Sequence, residues 1–140
     1  MTPKEESEEL MSSLVPFAEE MLTKHREFYP FGGFMRTNGK IEHLGGYDGN
    51  EHPSSDEIIK LLRAGLRDSA KKGEIKAAAI VFDVRVVAPG TTEKSDAIEI
   101  SLEHKEGYAA EVYFPYHFSE DGKLAFGQIF AAKKIDSFFR

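Results

Sequence analysis

The hydrophobic positions along the chain fall into two helical stripes, which are followed by alternating patterns typical of strands. The first stripe begins at Thr2, a capping residue followed by proline, and predicts a helix to about Tyr29. Pro16 lies inside this stripe, so we expect a kink or two abutting helices. The second stripe begins at Ser54, which forms a capping-box pattern, and closes before Gly73. Both ends of the second helix are therefore marked by local signals.

Between the two helices, the dipeptide Asn38-Gly39 separates two apolar segments. Asn-Gly favours a two-residue turn of type I′, in which both central residues take positive φ. Such a turn would pair Met35 with Glu42. The sequence therefore predicts a β-hairpin between the helices.

After the second helix the pattern changes to a period of two. The continuous apolar run 77–82 predicts a central strand that is covered on both faces. Three-residue loops at 105–107 and 120–122, each with glycine third, keep the apolar residues of the following strands on one face. The second of these registers also pairs Val112 with Phe130. The C-terminal half is thus predicted to be a four-stranded antiparallel meander.

The predicted order is helix, β-hairpin, helix and four-stranded meander, which is an α+β arrangement. We expect the helices to cover one face of a single, mostly antiparallel sheet. This order resembles that of profilin-like and roadblock-type domains, which have a helix, a hairpin, a helix and three strands. A length of 140 residues predicts a single domain over residues 1–140.

Composition narrows the function classes. The chain has no cysteine, which excludes thiolate nucleophiles, disulfides and cysteine-ligated metals. Because a chain without disulfides is compatible with a reducing compartment, a cytoplasmic location is expected. The net charge is −6, with 7 acidic and 3 basic side chains in residues 1–30 and 8 and 5 in residues 96–140. Nucleic acids and anionic membranes are not expected as partners, since the basic side chains are interleaved with acidic ones. The acidic N-terminus and short apolar runs predict neither a signal peptide nor a membrane span.

The most informative polar residues alternate along the last strands and share one predicted face. They are Glu99, Ser101, Glu103, Glu111, Tyr113 and His117. Neighbouring carboxylates can hold one raised pKa and exchange protons, while tyrosine or histidine orients a substrate. Alternatively, this face is the solvent side of a half-buried sheet. In that case it offers an acidic surface to a partner.

The segment FYPFGGF forms a dense aromatic patch at the start of the predicted hairpin. Its side chains Tyr29, Phe31 and Phe34 could anchor a partner, or they could pack a corner of the core. Both interpretations use the same residue types.

One loop brings together residue types that can ligate a metal ion. His43, Asp48 and His52 are the candidates, but their spacing matches no standard zinc pattern, so no metal site is predicted. A solvated loop explains the same residues. No cofactor is expected either.

Three functional hypotheses remain open. The favoured one is a small acidic, non-catalytic protein-interaction domain, such as an inhibitor or an immunity-type antidote for an unidentified basic protein. The alternative is a small-molecule-binding protein or a hydrolase-type enzyme that uses Glu111, Tyr113 and His117 on the sheet face. The third is a homodimer joined through an exposed strand edge.

Overall fold

The computed structural model describes residues 1–45 and 54–140 and shows an α+β fold on one antiparallel sheet. The described residues form two helices, α1 (Pro3–His25) and α2 (Ser55–Lys71). The strands are β1 (Phe31–Arg36), β2 (Ile41–Gly45), β3 (Ile75–Val87), β4 (Lys94–His104), β5 (Ala109–Phe118), β6 (Leu124–Phe126) and β7 (Phe130–Ala132). They lie in the order β2-β1-β3-β4-β5-β6, and β7 also pairs with β5. The predicted fold class is confirmed, and the element order is loosely consistent with the predicted order of helix, hairpin and helix.

The two helices pack against opposite faces of the sheet, so the expectation that they cover one face is wrong. Ala77, Ala79 and Val81 of β3 belong to a buried core with α1, whereas Ala78 and Ile80 belong to a core with α2. Successive side chains of a strand point to opposite faces. The apolar run of β3 is therefore covered on both sides, as a central strand requires.

The two cores differ in composition. The core on the α1 face comprises Leu10, Leu14, Ala18, Leu22, Phe28, Phe31, Met35, Ala77, Ala79, Val81, Ile98, Ile100, Leu102 and Tyr116. The core on the α2 face comprises Ile58, Leu62, Leu66, Ile75, Ala78, Ile80 and Phe138. Phe138 belongs to the C-terminal segment, which we define as residues 133–140. This segment therefore shares with α2 the task of covering the second face.

The first helix is continuous through Pro16 and ends before the predicted Tyr29. Its cap is Arg26, which adopts the left-handed conformation with φ 62° and donates its backbone N–H to the Leu22 carbonyl. The Arg26 guanidinium lies 4.1 Å from the centre of the Phe118 ring.

Among the residues that the structure describes, neither helix is long and apolar enough to cross a membrane.

The first hairpin has a three-residue loop, so the predicted two-residue turn is wrong. Met35 pairs with Ile41 rather than with Glu42, which leaves residues 37–39 as the loop. Only Gly39 in this loop has a positive φ, of 92°, whereas a type I′ turn needs two such residues. The observed register places two apolar side chains opposite each other, and both contact the core on the α1 face.

The predicted registers of the two C-terminal hairpins are confirmed at their loops. Ile100 pairs with Val112 across the first hairpin, and Phe118 pairs with Leu124 across the second. The last strand then breaks, because the Gly127 N–H donates to Pro115 and the next strand starts one residue out of register.

This shift changes the direction of one aromatic side chain. Phe130 pairs with Tyr113 instead of with the predicted Val112. A one-residue slip moves a side chain to the other face of a sheet. Phe130 therefore stacks on Tyr113, with ring centres 4.8 Å apart and planes 10° from parallel.

A buried polar cluster fixes the start of α1 to the sheet. The Glu6 carboxylate forms an ion pair with Lys76 and accepts a hydrogen bond at 3.0 Å from Nε2 of His104. The Glu106 N–H donates to Nδ1 of the same imidazole, so the ring proton lies on Nε2. The hydrogen bond from Lys76 lowers the pKa of Glu6 despite its partial desolvation.

Alanine substitutions at two glycines should have opposite effects. Gly107 has a φ of 107°, so Gly107→Ala should lower the free energy of unfolding by roughly 1–2 kcal/mol. Gly65 is exposed inside α2 with open space around it, so Gly65→Ala should raise the same free energy by about 0.5–1 kcal/mol. Urea denaturation measures both. Equal effects at the two positions would contradict the assigned loop conformation.

Candidate functional site

Five of the predicted polar residues lie together on the α2 face of the sheet. Glu99 pairs with Tyr113, and Ser101 pairs with Glu111 on the neighbouring strand. We call Glu99, Ser101, Glu103, Glu111 and Tyr113 the polar row. His117 is exposed and lies four residues beyond Tyr113 along β5, about 13 Å away at the rise of a strand. The imidazole is thus not part of the row.

The C-terminal segment covers one end of the polar row. Ser101 is 2% exposed and Glu103 is 5% exposed. One oxygen of the Glu103 carboxylate accepts the Phe138 N–H at 2.6 Å, and the other accepts the Ser137 hydroxyl at 2.6 Å. This carboxylate is therefore engaged by the chain itself.

Lys134 brings a buried cation to the centre of the row. Its side chain is fully buried, and Nζ donates to the Ser101 hydroxyl at 2.8 Å. Ser101 in turn donates to Oε2 of Glu111 at 3.0 Å, and that oxygen lies 3.8 Å from Lys134 Nζ. Nζ also lies 4.4 Å from the centre of the Phe138 ring. Burial lowers the pKa of Lys134, and the charge of Glu111 opposes this shift.

Glu99 and Tyr113 form the less covered end of the row. Burial is the main cause that raises the pKa of Glu99 to about 8, and the neighbouring Glu111 carboxylate adds to this shift. Tyr113 and Lys134 act in the opposite direction. Burial and the charges of Glu99 and Glu111 raise the pKa of Tyr113 to about 12. The carboxyl group of Glu99, which lies beside that of Glu111, therefore holds its proton to a higher pH than an ordinary glutamate does. Such a pair can donate and accept a proton within one site.

A cleft of about 350 Å³ lies next to this pair. It is lined by Ala88, Pro89, Thr91, Ser95, Pro115, Gly127, Gln128 and Phe130. The break after β6 forms one wall, and Phe130 joins that wall to the stacked Tyr113. Pro115 pairs with Ala97, one pleat along the strands from Glu99 and Tyr113. The cleft is therefore largely apolar, and the carboxyl pair lies near it without lining it.

The residues of the aromatic patch point in different directions. Phe31 is buried in the core on the α1 face, where its ring lies 4.9 Å from that of Phe17. Phe34 contacts the core on the α2 face, and Tyr29 is 57% exposed. A Cβ on Gly33 would lie 2.7 Å from Leu14 Cδ2, so the glycine allows α1 to pack closely on β1. These residues mainly join the hairpin to the two cores.

Only part of the candidate metal loop can be described. His43 is exposed, and its Nε2 lies 3.4 Å from the Ser13 hydroxyl. Asp48 and His52 lie outside the described residues. Residues 1–45 and 54–140 contain no group of three side chains arranged to hold a metal ion.

Sequence reasoning missed Lys134 and the cover that the C-terminal segment provides. The available signal was the apolar pair Phe138-Phe139, which needs a buried position close to the sheet.

Comparison of the chain with protein-family models, with curated proteins and with solved structures finds no match. The function therefore has to be argued from the chemistry of the surfaces themselves.

Removal of the buried ammonium group should be costly. Lys134→Ala leaves the Glu111 carboxylate and the Ser101 hydroxyl without the ammonium group that both contact, so the free energy of unfolding should fall by roughly 3–5 kcal/mol. Lys133 is exposed, and Lys133→Ala should change it by less than about 0.5 kcal/mol. Urea denaturation of both variants makes the comparison. A small change in the free energy of unfolding of Lys134→Ala would show that the contact between the C-terminal segment and the polar row does not stabilise the fold.

The raised pKa of Glu99 should make stability depend on pH. Between the ordinary glutamate pKa of about 4.3 and about 8, the native state binds more protons than the unfolded state, so stability falls as pH rises. Glu99→Gln should remove this contribution, and the variant should gain stability relative to the wild type from pH 5 to pH 8.5. Glu120→Gln, at an exposed loop position, is the matched control. Parallel pH profiles for wild type and Glu99→Gln would exclude the raised pKa.

Proposed function

We propose that the protein is a non-catalytic interaction domain that binds a basic segment of a partner protein along α1. The sequence suggested the sheet face as the acidic surface. Glu103 and Glu111, however, interact with the chain's own C-terminal segment. The acidic surface that remains open lies on the other side of the sheet.

The observation that carries this proposal is an apolar groove beside the acidic helix. The groove measures about 240 Å³ and is lined by Met11, Ser12, Val15, Pro16, Glu19 and Phe114. Phe126 extends its apolar surface, since this ring is 38% exposed and lies 6.4 Å from Phe114 in an edge-to-face arrangement. Aromatic and methionine side chains in such a position are typical anchors of interfaces.

The rim of the groove carries negative charge. Glu5, Glu8 and Glu9 are exposed on α1, and their helical spacing puts them on the same side as Ser12 and Glu19. Tyr108 packs against the core on the α1 face, and burial raises the pKa of its hydroxyl group. The negative charge of Glu8 adds to this shift. A partner segment with lysines or arginines beside apolar residues complements both properties.

Binding of this kind can inhibit a partner without any chemistry. A basic surface that recognises an anionic substrate loses that function when an acidic domain covers it. Long-range attraction between the two charged surfaces also speeds association. The inhibitor or antidote role expected from the composition therefore stays a proposal that this groove supports.

A defined probe tests the groove directly. We expect a labelled amphipathic peptide of lysine and leucine to bind, with an affinity that falls as salt rises. The double variant Glu8→Lys with Glu19→Lys should weaken binding by about tenfold or more, because each reversal removes an attraction and adds a repulsion. Fluorescence anisotropy measures the dissociation constants.

The matched control is the double variant Glu93→Lys with Glu120→Lys, which changes the net charge by the same amount at two exposed loop positions. Equal losses in the control and in Glu8→Lys with Glu19→Lys would show only an effect of net charge. Binding that neither variant changes would contradict the groove. A photo-crosslinker at Val15 should also label the peptide.

A second function is favoured by the cleft next to Glu99. The cleft of about 350 Å³ suits a small ligand, and Glu99, whose pKa is raised, lies two residues along β4 from the partner of the lining residue Pro115. Thermal-shift screening against small metabolites distinguishes this function, because bound ligand raises the melting temperature and Glu99→Gln should abolish that rise. The double variant Glu8→Lys with Glu19→Lys, which alters the groove, should still bind the small metabolite at the cleft.

A further inference from the structure

We propose that a cavity between the end of α2 and the C-terminal segment binds a small molecule with a phosphate group next to an aromatic ring. The cavity measures about 320 Å³. Its lining residues are Arg67, Ala70, Lys71, Phe138, Phe139 and Arg140. It lies on the α2 face of the sheet, opposite the groove along α1.

Three cationic side chains line this cavity, and none of its six lining residues has an acidic side chain. Within the described residues, no ion pair involves Arg67, Lys71 or Arg140. Arg63, four residues before Arg67 on α2, pairs instead with Asp136 of the C-terminal segment. The charges in the cavity are therefore available to a ligand.

The guanidinium of Arg67 is held in place by the backbone. Its Nε donates to the Ser137 carbonyl oxygen at 3.0 Å. This bond leaves the two terminal nitrogens of the guanidinium for an anion, and their planar arrangement suits two oxygens of a phosphate. Arg67 is thus positioned before a ligand arrives.

The opposite wall is also rigid, because it is tied to the polar row. The Ser137 hydroxyl accepts the N–H groups of Phe139 at 3.2 Å and Arg140 at 3.1 Å. The same hydroxyl donates to Glu103, whose carboxylate is buried on β4. Glu103 therefore acts as a positioning residue for the wall that carries Phe139 and Arg140.

The apolar part of the lining suggests what accompanies the anion. Phe138 is buried in the core, whereas Phe139 is half-buried and offers its ring to the cavity, with Ala70 beside it. An aromatic ring stacked on Phe139 would leave an attached phosphate close to the three cations. A phosphate ester carries about −1.5 to −2 charges at neutral pH, which suits three cations better than one carboxylate does. The volume is at the lower end of the range of roughly 300–1,000 Å³ for small-molecule sites.

Calorimetric titration of the full chain with phenyl phosphate, inorganic phosphate and benzoate tests the proposal. We expect phenyl phosphate to bind most tightly, because only this probe combines both groups. Lys71→Gln, which preserves the bond from Arg67 to Ser137, should weaken its binding by about tenfold, as loss of one charge-assisted contact does. Arg67→Lys should also weaken it, since lysine keeps the charge but loses the planar fork.

Lys105→Gln is the matched control, since Lys105 is exposed on the loop between β4 and β5. Amide chemical shifts of the wild type should change at residues 70–71 and 139–140 when phenyl phosphate is added. Equal losses for Lys71→Gln and Lys105→Gln would overturn the proposal, as would shifts confined to other surfaces. Equal affinity for phenyl phosphate and inorganic phosphate would overturn the aromatic part of the proposal, and a preference for benzoate would overturn the phosphate part.

Discussion

The second face of the sheet has to be covered by more than one helix, and much of the molecule follows from this constraint. α2 packs on β1 and β3, which leaves the outer strands of that face to the C-terminal segment. A segment without regular structure brings backbone N–H groups that need acceptors, and Glu103 supplies one for Phe138. It also brings the ammonium group of Lys134, which needs polar partners and finds Ser101 and Glu111. The polar row is therefore the counterpart of an irregular covering segment. It stabilises the fold before it takes part in any function.

This relation explains why the site was harder to predict than the fold. Alternating polar residues on a strand look the same whether water or a polar segment covers them. Lys134 lies 33 residues beyond Ser101, so their contact leaves no pattern at a local spacing. Burial is the largest cause of the raised pKa of Glu99, and the alternating pattern of the strand does not reveal that burial. Sequence reasoning placed Glu99, Ser101 and Glu111 on one face correctly. It could not tell what lies above that face.

Local signals predicted the elements well, and the errors came where two local solutions competed. The caps at Thr2 and Ser54 lie where the helices start. Asn38-Gly39 fits a two-residue turn, but it also fits the end of a three-residue loop. The deciding fact is that Met35 faces Ile41 on the α1 side, where both side chains can be buried. The same argument about faces had already identified the two later hairpins. The apolar run of β3 likewise required helices on both sides, because a single covered face would have left half of the run in water.

The net charge of −6 is a poor guide to binding because it averages groups with different roles. Some carboxylates, such as Glu6 and Glu103, are bound inside the fold and contribute little to the outer field. The exposed acid is concentrated along α1, whereas the free cations near Lys71 lie at the end of α2. Because the two helices lie on opposite faces of the sheet, these opposite charges are separated by the thickness of the domain. That distance is larger than the Debye length of about 8 Å at physiological salt, since one helix with its side chains is already about 10–12 Å across. If both proposals hold, each face would attract its ligand by its own local charge, and one small domain would select an anion on one side and a basic segment on the other.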